Sequence, residues 1–126
     1  MDTTILVENF YAEGKKLIQA LDGKGYVYPI AFWMKENGDS DWTLVFGVPD
    51  IKTTGSKDIL KKIHALILKN QIDISLGNIS VVDTTSGICQ MIKKSIKTGK
   101  GISKISFTGN IINGVRFPDS IIYRVI

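Results

Sequence analysis

The sequence predicts an α+β domain in which about three helices pack with a mixed, mainly antiparallel sheet, in the order α-β-β-α-β-α-β-β-β. Three observations point there. Apolar residues recur at three-and-four spacing in three separate stretches, as they do on amphipathic helices. Between and after these stretches, short runs rich in branched and aromatic residues read as strands. Hairpin turn chemistry dominates both ends of the chain, at Glu36-Asn37-Gly38-Asp39 and at Asn113-Gly114, which favours antiparallel pairing over a doubly wound parallel sheet.

Taken in order, residues 3–21 carry the first helical stripe in Leu6, Val7, Phe10, Leu17, Ile18 and Leu21. Gly14 falls on that stripe. A glycine there costs about 1 kcal/mol against alanine, so close packing against a neighbouring backbone is expected. Asp22-Gly23-Lys24-Gly25 ends the helix. From Tyr26 to Met34 both alternating sets are largely apolar, predicting a strand covered on both faces; Pro29 removes a ladder donor and argues for an edge position or a bulge. Trp42 to Val48 alternates again and completes a hairpin.

Ser56 is the expected N-cap of a second helix whose buried stripe is Ile59, Leu60, Ile63, Leu66 and Ile67, with Lys61, Lys62 and Lys69 on the other side and an end near Asn70. Ile72 to Leu76 alternates over a short span. After a turn at Gly77-Asn78, Ile79 to Val82 reads as a central strand. Asp83-Thr84-Thr85-Ser86 offers capping oxygens ahead of a third helix, with Ile88, Met91, Ile92 and Ile96 as its stripe, running to about Thr98 and closed by Gly99 and Gly101. The remainder is β: Ile102 to Thr108, Ile111-Ile112, Val115 to Phe117, and Ser120 to Val125.

A chain of 126 residues, 44% hydrophobic and 22% charged, is large enough to fold around one core, and residues 1–126 are read as a single α+β domain. The longest apolar runs, such as Ile30 to Met34, fall far short of the roughly 20 residues a membrane span requires. The N-terminus lacks the basic and apolar regions of a signal peptide, so a cytoplasmic location without membrane contact is expected. Charge is polarised: residues 1–60 carry net −3 and residues 61–126 net +7. That asymmetry hints at an acidic partner.

Motifs for chemistry are weak. Gly23-Lys24-Gly25 and Gly99-Lys100-Gly101 complete no phosphate-binding pattern and follow helices instead of opening them. His64, the single histidine, and Cys89, the single cysteine, each flank an apolar stripe and have no partner at metal-ligand spacing, so neither a metal nor a cofactor is expected. Asp39, Asp41 and Asp50, with Lys52, resemble a metal-dependent nuclease triplet only superficially, because the triplet lies in a polar connector. The reading therefore leans against an enzyme. Asp83, Thr84, Thr85 and Ser86, just past a strand and opening a helix, form the polar cluster best placed to bind a ligand, although capping explains them as well.

Two binding readings remain. The first is a non-catalytic protein–protein interaction module, with a protein partner or a homodimer, built on Tyr26, Tyr28, Trp33 and Trp42 of the first hairpin; a small inhibitor or immunity-type protein of bacterial or phage origin would have this character. The alternative is a nucleic-acid-binding domain using Lys93, Lys94, Lys97, Lys100 and Lys104, since no acid occurs between Asp83 and Asp119. Phe107, Phe117 and Tyr123 lie in the strands that follow.

Overall fold

The computed structural model describes the backbone of residues 3–35, 41–107, 111–112, 115–116 and 119–126, and the side chains of residues 8–35, 41–107 and 119–126. The 36–39 and 113–114 turns, Phe117, and the side chains of Leu6 and Val7 lie outside these. In chain order the elements are α1 (Thr3–Gly23), β1 (Ile30–Lys35), β2 (Thr43–Val48), α2 (Ile51–Thr54), α3 (Ser56–Lys69), β3 (Ile79–Asp83), α4 (Gly87–Ser95), β4 (Ile105–Phe107), β5 (Ile111–Ile112), β6 (Val115–Arg116) and β7 (Asp119–Val125). The fold is α+β. β5 and β6 pair with each other, and the other five strands form one sheet ordered β3-β2-β1-β7-β4, so that β3, read from the sequence as central, is an edge strand. Its β2–β3 pair is parallel and its other pairs are antiparallel, the mixed and mainly antiparallel sheet that the turn signals predict.

Side-chain alternation sorts the core into two layers. Ala31, Trp33, Leu44, Phe46, Ile121 and Tyr123 face α1 and α3, meeting Leu17, Ile18 and Leu21 of the first and Ile59, Ile63, Leu66 and Ile67 of the second. Ile30, Phe32, Val45 and Ile122 face the other way, onto Cys89 and Ile92 of α4. The helices therefore lie on both sides of the sheet, with α4 opposite α1 and α3. Gly47 lets α4 approach, because a Cβ there would stand 3.0 Å from the Cys89 sulfur and 2.9 Å from the Ile30 Cβ.

β1 is central, not an edge strand. Its two apolar faces are both used, and Pro29 precedes the ladder, where its carbonyl accepts a hydrogen bond from the Ile126 amide. The bulge expected near Pro29 occurs instead on the partner strand, where Phe32 faces Ile122 but Ala31 faces Arg124. Tyr123 is the extra residue. Two consecutive side chains, Tyr123 and Arg124, thereby both reach α1. The Tyr123 hydroxyl donates to the Tyr11 carbonyl at 2.7 Å and accepts from Trp33 Nε1 at 2.8 Å. Arg124, 3% exposed, forks onto both carboxylate oxygens of Asp22 at 3.0 and 2.7 Å. Gly14 does pack closely, but against side chains: a Cβ there would overlap the Tyr123 hydroxyl and stand 2.8 Å from the Trp33 indole nitrogen.

α1 and α3 both close with the same paired reversal of hydrogen bonds. Tyr26 N bonds to Leu21 O and Gly25 N to Asp22 O, with Gly25 at φ 82°; Ile72 N bonds to Ile67 O and Gln71 N to Leu68 O, with Gln71 at φ 52°. The alternation of Ile72 to Leu76 is real but makes no strand. Ile72 and Ile74 turn into the α1/α3 layer, the Asp73 amide donates to Glu13 at 2.8 Å in place of a ladder partner, and Leu76–Asn78 is a 3-10 turn. α3 begins at Ser56 with Gly55 as its N-cap, and the connector before it holds the one-turn α2. α4 stops at Ser95, three residues before the expected end, because Ile96 turns extended to tuck beneath the helix; Gly99, at φ 79°, serves the loop beyond.

Candidate nucleic-acid interface

The aromatic set is dispersed by the fold. Trp33 is 1% exposed and its indole N–H is satisfied internally, so it cannot meet a partner. Tyr28 packs edge-on to Phe46 and Tyr26 lies beneath the Lys62 ammonium, 4.9 Å from the ring centre, both at the end of the sheet where β1 begins. Burial pushes the Tyr28 phenol up from its ordinary value. Trp42 is half-buried at the other end of the hairpin, its carbonyl accepting from Asn78 at 3.3 Å.

Asp83 ends β3 and Thr84, Thr85 and Ser86 follow it, and the equivalent connector from the parallel β2 enters α2 beside them. The Asp83 carboxylate joins the two connectors. One oxygen accepts the Thr85 amide and hydroxyl at 2.9 and 2.8 Å, and the other accepts the Ile51 amide at 3.2 Å. These donors, led by the Thr85 amide, hold the Asp83 carboxyl below the usual carboxylate range. The Thr84 amide donates to Val48 O and its carbonyl accepts from the Gln90 side chain, while Ser86 is the N-cap residue of α4 with no side-chain cap bond. The Asp83 carboxylate is thus already engaged by the chain's own donors.

His64 is exposed on the outer side of α3. Cys89 is fully buried against the sheet, and burial pushes its thiol up, so it holds its proton near neutral pH. Among the described residues no three of His, Cys, Asp and Glu stand close enough to hold a metal ion. An open depression of about 400 Å³ between α1 and the end of α3 is lined by Lys16, Gln19, Ala20 and Asn70, none of them a candidate from the sequence.

The lysines are arranged differently. Lys93 and Lys94 are exposed in the last turn of α4, and Lys97 and Lys100 are exposed in the loop after it. That loop is fixed: the Thr98 amide donates to Val125 O at 2.8 Å and its hydroxyl accepts the Val125 amide at 2.9 Å, so Lys97 and Lys100 flank a residue anchored to β7. The ion pairs between described residues are Lys16–Glu13 and Arg124–Asp22, and neither engages these four. Lys104 departs from the group. Its neighbour Ile105 faces α4, while Lys104 itself sits 4.8 Å over the Tyr11 ring on the α1 side. Phe107 is half-buried in the α4 layer, and Tyr123 is wholly buried and offers no stacking surface.

Lys61, Lys62 and Lys69, expected on the solvated side of a helix, are exposed there together with Lys57, on the opposite side of the sheet from α4. No helix of the described residues is long and apolar enough to cross a membrane. Comparison of the chain with protein families, with curated proteins and with solved structures finds no match in any of the three.

Proposed function

We propose that this chain binds the phosphate backbone of nucleic acid through the end of α4 and the loop that follows, without reading base sequence. The observation that carries this is the set of four exposed lysines, Lys93, Lys94, Lys97 and Lys100, held together by the Thr98 anchor and free of ion pairs with described acids. Lysines are depleted at the centres of protein interfaces, where aromatic and arginine anchors concentrate, whereas lysine point charges suffice for phosphate. The hairpin aromatics, split between the interior and two ends of the sheet, do not supply such a centre.

The test is a titration of a fluorescent duplex with purified protein at increasing salt. Four phosphate contacts give a slope of log K against log salt of about −3.6, which is about a hundredfold loss of affinity between roughly 50 and 200 mM. Unrelated duplex sequences should bind alike. Lys94→Glu with Lys97→Glu should weaken binding roughly tenfold or more and lower the slope by about 2. A wild-type protein that ignores duplex yet retains an acidic protein in a salt-stable complex would overturn the proposal in favour of a protein-binding role.

A further inference from the structure

We infer that one molecule bridges two nucleic-acid segments, one on the end of α4 and a second on the outer side of α3; this rests on the phosphate-binding reading above. α3 carries Lys57, Lys61, Lys62 and Lys69 against a single acid, Asp58. All four lysines are exposed, and the apolar stripe Ile59, Ile63, Leu66 and Ile67 fixes the opposite side of the helix against the sheet. Lys57 and Lys61 are one helical turn apart, and both are exposed on the side of α3 turned from the core. The Lys62 ammonium sits over the Tyr26 ring, 4.9 Å from its centre.

The two basic surfaces cannot serve one duplex together. α3 packs on the sheet face of Trp33 and Phe46, and α4 on the face of Phe32 and Val45, so the whole sheet stands between them. Layers pack about 10 Å apart, which places the helices about 20 Å apart and facing opposite directions. At physiological salt the screening length is about 8 Å, so each surface attracts its own polyanion with little repulsion between the two bound segments. Asp58 leaves the α3 surface the weaker of the pair.

Two short duplexes of unrelated sequence, one biotinylated and one fluorescent, provide the test. Wild-type protein should bring the fluorescent duplex onto streptavidin. Lys57→Glu with Lys61→Glu should cut that co-capture by roughly tenfold or more while single-duplex binding at the α4 end persists. Lys94→Glu with Lys97→Glu should also abolish co-capture, leaving the weaker binding at α3. Co-capture that survives the α3 changes would mean bridging by two copies of the chain, and overturns the inference. Binding of one duplex with no co-capture also overturns it and leaves the α4 reading standing. No binding of any duplex overturns both.

Discussion

Substituting Gly14 with alanine should destabilise the fold although alanine is the better helix former. The helix itself gains about 1 kcal/mol from the exchange. Against this, the new methyl overlaps the Tyr123 hydroxyl and stands 2.9 Å from Tyr123 Cζ and 2.8 Å from Trp33 Nε1, all of them buried. Overpacking of a tight core costs about 1–3 kcal/mol. Displacing the tyrosine also breaks its 2.7 Å bond to Tyr11 O and the 2.8 Å bond from Trp33, and each buried group left unpaired costs about 1–3 kcal/mol. The net expectation is a loss of about 2–4 kcal/mol, a large share of the roughly 5–15 kcal/mol by which domains are stable. Tyr123→Phe alone should cost only about 1 kcal/mol, because Trp33 keeps its 3.1 Å bond to Phe10 O. Removing the hydroxyl also clears much of the space the methyl needs, so the double variant should be less damaged than the sum by about 1–2 kcal/mol. Urea unfolding followed by tryptophan fluorescence measures all four corners of this cycle. A neutral Gly14→Ala, or additivity to within about 0.5 kcal/mol, would refute the packing argument.

Gln71→Gly should raise the melting temperature by about 3 °C in a thermal scan, since a non-glycine residue at φ 52° carries about 1 kcal/mol of left-handed strain. Asp22→Ala leaves a buried guanidinium without its carboxylate; breaking a buried pair costs about 3–5 kcal/mol, and with Asp22 29% exposed about 2–3 kcal/mol is expected from urea midpoints. Arg124→Met removes the pair together with the buried Nε that has no partner, so it should cost less than Asp22→Ala, and the reverse order would contradict this account. The lowered Asp83 carboxyl stabilises the fold above its unfolded value of about 3.9, and that contribution is lost as pH falls through the folded value. Asp83→Asn should therefore be less stable than wild type at pH 7, with the gap closing in acid; a gap unchanged below about pH 4 would mean the carboxylate's charge is irrelevant.

How much of this was legible in the residues depends on range. Period and punctuation gave away the amphipathic stripes, the Gly25 helix end and the two-sided apolarity of β1, because each is decided within a few residues. Pro29 misled because proline's missing donor matters only inside a ladder, and the ladder starts one residue later. Ile72 to Leu76 alternates for a helix-facing core, and only the tertiary position of Glu13 reveals why no strand forms. The lysine run of residues 93–104 looked continuous, yet Lys104, just ahead of β4, lies over the Tyr11 ring on the α1 side while Ile105 beside it faces α4. That Trp33 is interior depends on Tyr123 and on the α1 backbone at Phe10, which no local pattern can announce.

The bulge in β7 bears on when this protein can fold during its synthesis. Through it, Tyr123 and Arg124 fasten to residues 112 and 102 positions earlier, and β7 also lies between β1 and β4 in the sheet. A nascent chain whose β7 is still inside the ribosome has a gap in the middle of its sheet and a first helix that lacks these two fasteners. Contacts of such long sequence separation form late and slowly. Until β7 emerges, β1 lacks one of its two neighbours, and the unpaired strand edge and uncovered apolar surface that result are the features that make partly folded chains prone to aggregate.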